Sequence, residues 1–329
     1  MVLVLGGAGY IGSHAVKMLL DRGEEVVVVD NLETGHIEAV DAGVKFHNVD
    51  IRNYEALKGV FEAHAIDAVM HFSANSLVGE SVKLPIKYFD NNVTGANVLL
   101  RVMNESGVKK IIFSSTAAVY GEPSEVPITE NCETKPESPY GESKLMMEKM
   151  FKWADLAHGI KYVSLRYFNV AGADSSGTIG EAHVVETHLI PLVLEVPLGK
   201  RKAISVFGED YPTKDGTCIR DYIHVVDLID AHILALEYLR AGHESDIFNL
   251  GTGEGFSVKE IIDISRKITG HPIPVEIGPR RAGDPSVLVA SAEKAKSILG
   301  WAPRYSNVER VITDAWRWHK GHPEGYGNS

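Results

Sequence analysis

Tyr140 and Lys144 stand four residues apart in the stretch Ser138-Pro-Tyr-Gly-Glu-Ser-Lys144. Residues at i and i+4 share one helix face, so a phenol and an ammonium there reach the same small volume. Pro139 fits a first helical position, where its missing N–H costs nothing, and Ser138 fits the N-cap. A free tyrosine titrates near ~10 and is a poor base at neutral pH. A cation about 4 Å away, at an effective dielectric near 20, contributes roughly 4 kcal/mol, enough to lower that pKa by up to about three pH units. The pair therefore predicts a phenol that exchanges a proton with a sugar or alcohol hydroxyl. Tyr and Lys meet at this spacing on many solvated helices, so the rest of the chain must supply the context.

That context begins at the N-terminus, with Gly6-Gly-Ala-Gly9-Tyr-Ile-Gly12. The glycines follow an apolar run, Val2–Leu5, and open a helical pattern in which Ile11, Ala15, Val16 and Leu19 share one face. A tight turn, close backbone approach and a helix N-terminus are what a pyrophosphate needs. The spacing is G-x-x-G-x-x-G rather than G-x-G-x-x-G. Asp30 ends the next apolar run, placed to accept from an adenosine ribose 2′-hydroxyl. The following Asn31, Leu32, Glu33, Thr34 and Gly35 include no Arg or Lys for a 2′-phosphate. The expected cofactor is NAD rather than NADP.

Elements of alternating type must position these residues. Val2–Leu5, Val26–Val29, Val44–Val49, Ala68–Phe72, Lys110–Ser114 and Tyr162–Arg166 read as buried strands. Between them Ile11–Leu20, Tyr54–Ala63, Pro85–Asn104 and Tyr140–Ala157 read as helices. Such alternation predicts an α/β fold, a doubly wound parallel sheet of the Rossmann type, with ligands at the carboxyl ends of its strands. After about Gly172 the alternation breaks. A helix is expected near His188–Leu198, a strand feeding a helix over Arg220–Leu239, a short strand at Ile247–Leu250, and amphipathic helices at Lys259–Thr269 and Ala292–Leu299. The expected organisation is a cofactor domain over 1–172 and a smaller C-terminal α/β substrate domain over 173–329, with segments near 220–250 returning to the first.

Composition narrows the partners. At 329 residues, 44% hydrophobic and 23% charged, the chain matches an ordinary globular protein. A net charge of −11 disfavours nucleic acid and anionic membranes, and no stretch approaches membrane-spanning length. Cys132 and Cys218 cannot form a framework and show no metal-ligand spacing. His14, His71 and His224 read as packing or turn residues, and no metal is expected. The first apolar run reads as a strand rather than a signal peptide, and a cytoplasmic location is expected.

On these motifs the chain resembles the extended short-chain dehydrogenase/reductase family, and within it the UDP-sugar 4-epimerases, nearly end to end. The match takes in Gly6–Gly12, Tyr140/Lys144, Asp90-Asn-Asn-Val93, Phe113-Ser-Ser115, Val119-Tyr-Gly121, Leu165-Arg-Tyr-Phe-Asn169, Arg220-Asp-Tyr-Ile-His-Val225 and Arg280-Arg-Ala-Gly-Asp284. The resemblance implies that Tyr10 and Ile11 contact the pyrophosphate, that Asp30 to Gly35 surround the adenosine ribose, and that Asp50 with Ile51 brackets the adenine. It places Phe72, Ser73, Ala74, Ser76, Asn91 and Phe168 along the ribose and nicotinamide, and Thr116 beside the catalytic tyrosine. It assigns Asn169, His188, Leu189, Ser205, Val206, Phe207, Arg220, Arg281 and Asp284 to a sugar nucleotide. Arginine forks suit a diphosphate independently of any resemblance.

The activity implied is NAD-dependent, reversible C4 epimerisation of UDP-glucose and UDP-galactose. Tyr140 would take the 4-hydroxyl proton, and the 4-keto sugar would turn over before reduction on its other face. Dehydrating relatives place an Asp-Glu pair after the Ser/Thr, whereas Ala117 and Ala118 follow Thr116 here. The alternatives are an epimerase preferring N-acetylated or other UDP-sugars, and a non-catalytic NAD and sugar-nucleotide sensor. A homodimer through Pro85–Asn104 and Tyr140–Ala157 is implied. Ser76 stands where many relatives carry a lysine, and His188 where Asn is common. Leu288 replaces a bulky tyrosine of some relatives, which predicts some activity on UDP-GlcNAc and UDP-GalNAc.

Overall fold

The computed structural model describes residues 1–281 and 285–327. The apolar runs of the first half form β1 (Val2–Leu5), β2 (Val26–Asp30), β3 (Lys45–Asn48), β4 (Ala68–His71), β5 (Lys110–Ser114) and β6 (Lys161–Tyr167). Beyond them come β7 (Asn169–Ala171), β8 (Ile204–Phe207), β9 (Ile219–His224) and β10 (Asp246–Leu250). The main sheet has seven parallel strands in the order β10-β6-β5-β4-β1-β2-β3. The order reverses at β1, between β4 and β2, and a ligand crevice opens at such a switch point.

Alternate residues of β1 serve opposite faces, as the strand period of two requires. Val2 and Val4 pack with Ala15, Val16 and Leu19 of α1 (Tyr10–Asp21), whereas Leu3 and Leu5 pack with Leu57 of α2 (Tyr54–Ala63). Each such buried Val or Leu contributes about 1.5–3 kcal/mol.

One expected helix is broken. The Pro85–Asn104 region begins with α4 (Pro85–Tyr88), passes through a wider π-type turn at Phe89–Thr94, and ends in α5 (Gly95–Glu105); a further α3 (Val78–Lys83) precedes it. Asn92, inside the turn, is buried and specific. Its Oδ1 accepts from Asn75 N at 2.9 Å, and its Nδ2 donates to Asn75 O at 3.1 Å and Ser143 Oγ at 2.9 Å. The turn thus ties the loop after β4 to α6 (Pro139–His158), the helix carrying Tyr140 and Lys144. Irregular turns of this kind recur at functional sites.

The second half adds α7 (Leu189–Leu194), α8 (Val225–Arg240), α9 (Val258–Thr269) and α10 (Val308–Gly321), with β11 (Gly255–Ser257), β12 (Val275–Gly278) and β13 (Val287–Leu288). β9 is flanked by β11 and β13 and also pairs with β7, while β8 pairs with β12. β9 runs directly into α8, whose Leu228, Ile229 and Leu236 cover the main sheet, and β10 then joins that sheet's edge. The amphipathic helix expected at Ala292–Leu299 narrows to a π-type turn at Ala295–Leu299. Among the described residues no helix is long and apolar enough to cross a membrane.

Candidate active site

The glycine loop is built for backbone approach. Gly6 has φ 77°, and a Cβ there would lie 2.6 Å from Ser73 N. A Cβ on Gly12 would lie 2.0 Å from Gly6 O. α1 starts at Gly9 with no side-chain cap, which leaves the N–H groups of its first turn, at Tyr10, Ile11 and Gly12, for an anion. The Tyr10 hydroxyl is turned away and donates to Gly172 O at 2.7 Å.

A cleft continues from this loop. Gly6, Gly9, Asp30, Asn31, Glu33, Thr34 and Ile51, all expected on the cofactor, line it. Phe72, Ser73, Ala74 and Asn91 line the remainder, together with Val29, Val49 and Asn75, which the sequence did not single out. Asp30 fixes the loop after β2: Ala8 N donates to its Oδ2 at 3.0 Å and Leu32 N to its Oδ1 at 2.8 Å. Burial raises the Asp30 pKa, against the pull of those N–H groups. Leu32 sits at φ 59°, a region side chains seldom adopt, and Gly35 packs closely on Ala8. Asp50 is gripped by Arg52 at 2.7 Å, whose hydrogen bond holds the carboxyl down to about 2. Ser76 is exposed on the loop before α3 and does not line the cleft. The Asn75 side-chain nitrogen is buried without a protein partner, and such a donor in the cleft wall fits a polar ligand. Together the glycine cradle, the acidic ribose loop and this donor fit a dinucleotide.

At the carboxyl end of β5 stand the reactive groups. The Ser138 hydroxyl caps α6 by accepting from Gly141 N at 3.2 Å, and Pro139 occupies the first turn, as the sequence predicts. Lys144 is buried, and its ammonium donates to Ser114 O at 2.8 Å. Thr116 Oγ1 accepts from Ala118 N at 3.1 Å. The expected depression of the Tyr140 pKa by Lys144 is not met. The Lys144 nitrogen lies 6.0 Å from the Tyr140 ring centroid and is turned to Ser114. Burial pushes the phenol up to about 12, with hydrogen bonding from Thr116 acting the other way. Burial likewise brings Lys144 down to about 7, against the attraction of Glu148. Desolvation is the largest cause of both shifts.

Sequence reasoning missed the network behind Lys144. Arg166 donates to Glu148 and, from Nη1, to Tyr120 Oη at 2.9 Å; Tyr120 donates to Asn249 Oδ1 at 2.7 Å, and Ser115 to Glu148 at 2.6 Å. Its signal lay in the quoted motifs around Tyr120 and Arg166, without any role attached.

Of the residues expected on the substrate side, Asn169 lies on β7, Ser205 to Phe207 on β8, Arg220 on β9 and Leu288 on β13. Register places Leu288 opposite Arg220, and Asn169 opposite Tyr222. Leu288 and Phe168 pack on one small apolar cluster with Val119, Tyr120 and Leu145. Arg220 Nη1 donates to Ile219 O at 2.8 Å. The Arg281 guanidinium lies 4.1 Å over the Phe207 ring. Val206 is a correction: strand alternation puts its side chain into a core with Val193 and Ile262, while Ser205 and Phe207 point the other way. Any contact of Val206 with a ligand is through its main chain. Leu189 opens α7 and packs beneath it. Asp284 lies outside the described residues. Asp221 accepts from Thr252 N, Gly253 N and Ala290 N, fixing the loops beside β9.

His188 stands at the N-cap of α7, with Nδ1 2.6 Å from a Glu181 oxygen. Burial works against charge on His188 and His183, yet Glu181 and Glu186 hold them up to about 10 and about 9. This grouping escaped the sequence reading, although Glu181, His183, Glu186 and His188 fall within eight residues.

Comparison with known proteins agrees with this geometry. The family model described as the NAD dependent epimerase/dehydratase family matches residues 2–251. The UDP-glucose 4-epimerase of Lacticaseibacillus casei is 58% identical over 327 residues, 99% of each chain. A crystal structure of a UDP-glucose 4-epimerase superposes with a TM-score of 0.98 at 58% identity, covering 99% of each chain. The UDP-glucose 4-epimerase of Brucella ovis in complex with NAD superposes with a TM-score of 0.94 at 46% identity, covering 96% of this chain and 97% of that one.

Proposed function

The chain belongs to the NAD-dependent epimerase/dehydratase family, and on that premise we propose that it is an isomerase interconverting UDP-glucose and UDP-galactose at C4, with NAD as its cofactor. The observation that carries the reading is Tyr140 hydrogen-bonded to Thr116 after β5, with the Lys144 nitrogen 6.0 Å from the Tyr140 ring and only Ala117 and Ala118 following Thr116. No acid or base stands there to eliminate water, so dehydration is disfavoured. A silent sensor would not need the Tyr140/Lys144 pair.

Bound NAD supplies a reversible acceptor for the hydrogen at sugar C4 and a positive ring whose charge favours a phenolate. Tyr140 takes the 4-hydroxyl proton and later returns it, acting as general base and then general acid. Thr116 hydrogen-bonds the same sugar oxygen. One donor of the Lys144 ammonium is spent on Ser114 O, which leaves two for a ribose hydroxyl. The 4-keto sugar must then show its other face, which demands a firm grip on the nucleotide and a loose one on the sugar. Arg220 and the Arg281–Phe207 stack are assigned that grip, with Asn169, Leu189 and Ser205 beside it. Residues 1–172 are assigned to the cofactor and 173–329 to the substrate, with the segment near 220–250 shared.

Met146, Trp153 and Leu156 leave an apolar stripe on α6, with Trp153 and Leu156 each 68% exposed, and Ile86 of the neighbouring α4 is 80% exposed. A second copy of this chain fits that surface, so a homodimer is proposed. A cytoplasmic location fits the two free thiols, Cys132 and Cys218.

Purified protein given UDP-galactose and no cofactor tests the reading, with UDP-glucose followed by chromatography. Conversion that Tyr140→Phe lowers by about 10²–10⁴-fold while nucleotide binding persists supports it. Absence of conversion even after NAD is added contradicts it.

A further inference from the structure

The segment 181–188 buries Glu181, half-buries His183 and Glu186, and turns its two valines outward. Val184 and Val185 are 87% and 62% exposed, whereas the Glu181 side chain is 3% exposed. Glu181, His183, Glu186 and the exposed His188 each offer one ligand atom, all within 4.8 Å of one another. His183 Nδ1 lies 3.3 Å from an oxygen of Glu181 and 3.3 Å from one of Glu186. His188 Nδ1 lies 3.3 Å from Glu186 and 2.6 Å from Glu181.

A tetrahedral zinc ion, with bonds of about 2.0–2.1 Å, spaces its ligand atoms about 3.3–3.4 Å apart. His183 Nδ1 already stands at that spacing from Glu181 and from Glu186 Oε2, the His188–Glu181 separation need open by less than about 1 Å, and His188 meets Glu186 through the other oxygen, Oε1. Once a metal displaces the protons of the two imidazoles, the two carboxylates leave a charge of −2, which a divalent cation cancels. Mixed nitrogen and oxygen donors select zinc and its neighbours over calcium and magnesium, which take oxygen.

We propose that Glu181, His183, Glu186 and His188 form a tetrahedral site for a zinc-class divalent cation that fixes this segment at the start of α7. The supporting frame is in place. Thr187 N and His188 N donate to Glu186 Oε1 at 2.7 and 2.8 Å, leaving Oε2 facing His183. Trp318 Nε1 donates to the Glu181 carbonyl at 2.9 Å, and the Ala182 carbonyl meets His36 Nε2 at 2.7 Å. Such anchoring of the ligand-bearing backbone and carboxylates holds a site in shape before the ion arrives. The cation sets the entry of α7, and hence Leu189, without touching Tyr140. The site is independent of which sugar is turned over.

The test uses full-length, NAD-containing protein, stripped with a chelator and titrated with zinc chloride against a chromophoric competitor. The expected result is one zinc per chain, a rise in melting temperature on adding zinc, and the intense visible bands of four-coordinate cobalt(II) when cobalt is substituted. His183→Gln and Glu186→Gln are each expected to weaken zinc more than about 100-fold, beyond the 10–100-fold that outer partners cost, and to lose the thermal response while still binding NAD. Should one variant fail to hold NAD, the other decides. No zinc bound at micromolar concentration, which would leave the cluster as doubly protonated ion pairs, overturns the proposal. So does equal affinity in wild type and the folded variants.

Discussion

Glu148 stands one helical turn beyond Lys144 on α6, and its carboxylate receives Arg166 Nε at 2.9 Å and Nη2 at 2.6 Å. Both side chains are buried, 4% and 5% exposed. The pair joins the reactive helix to β6, and through Tyr120 and Asn249 to β10, so Lys144 is positioned from behind by a fixed fork. Glu148→Gln leaves a buried guanidinium without its countercharge, and such losses cost about 3–5 kcal/mol. Denaturant unfolding of the two proteins measures it. Equal stability would contradict a structural role for the pair.

Lys144 gives stability a pH signature. Burial holds it at about 7 in the fold, against about 10.4 in an unfolded chain. Between those values the unfolded chain binds the extra proton, so this group makes stability rise with pH across that window. Below about 7 both states are protonated and the burial penalty is present in full. NAD-free Lys144→Met is therefore expected to be the more stable protein at pH 6, with its advantage shrinking toward pH 10. Unfolding curves at several pH values check the trend, and an advantage that grows with pH would refute it.

Arg281 lies over Phe207, and the proposal gives it the grip on a diphosphate. A hydrogen bond to a charged group contributes about 1.5–3 kcal/mol. Arg281→Ala is expected to raise KM for UDP-galactose by about 10–150-fold with kcat little changed, because the contact is shared by ground and transition states. Steady-state kinetics separate the two terms. A fall in kcat alone would move Arg281 from grip to chemistry.

Leu288 packs beside Phe168, opposite Arg220. It lacks the bulk and hydroxyl of tyrosine, so the protein is expected to turn over UDP-GalNAc. Leu288→Tyr is expected to lower that activity by about 10–200-fold, the range one pocket contact commands, and to spare UDP-galactose. Undetectable turnover of UDP-GalNAc by the wild type would end the claim.

Much of this site was legible because its chemistry is local. Ser138 to Lys144 carry cap, proline and i, i+4 pair within seven residues, and Gly6 to Gly12 sit between a strand and a helix as the motif requires. What failed to show depends on distant neighbours. The Tyr140 pKa follows from the packing around it, which no spacing encodes, and the inward turn of the Val206 side chain did not show because only the fold tells which strand face meets the core. The π-type turn at Phe89–Thr94 is set by Asn92 reaching Asn75 and Ser143. The Glu181–His188 grouping is local, yet its irregular spacing on a loop gave no helical or strand period to mark it.

The central claim is that the hydrogen at sugar C4 leaves and returns within the protein while Tyr140 handles only the hydroxyl proton. UDP-galactose deuterated at C4, incubated with the protein in ordinary water and read by mass spectrometry and NMR, tests it directly. The account predicts UDP-glucose that keeps its deuterium at C4. Loss of that label to water during conversion would mean that C4 is deprotonated by a base, and the account would be wrong.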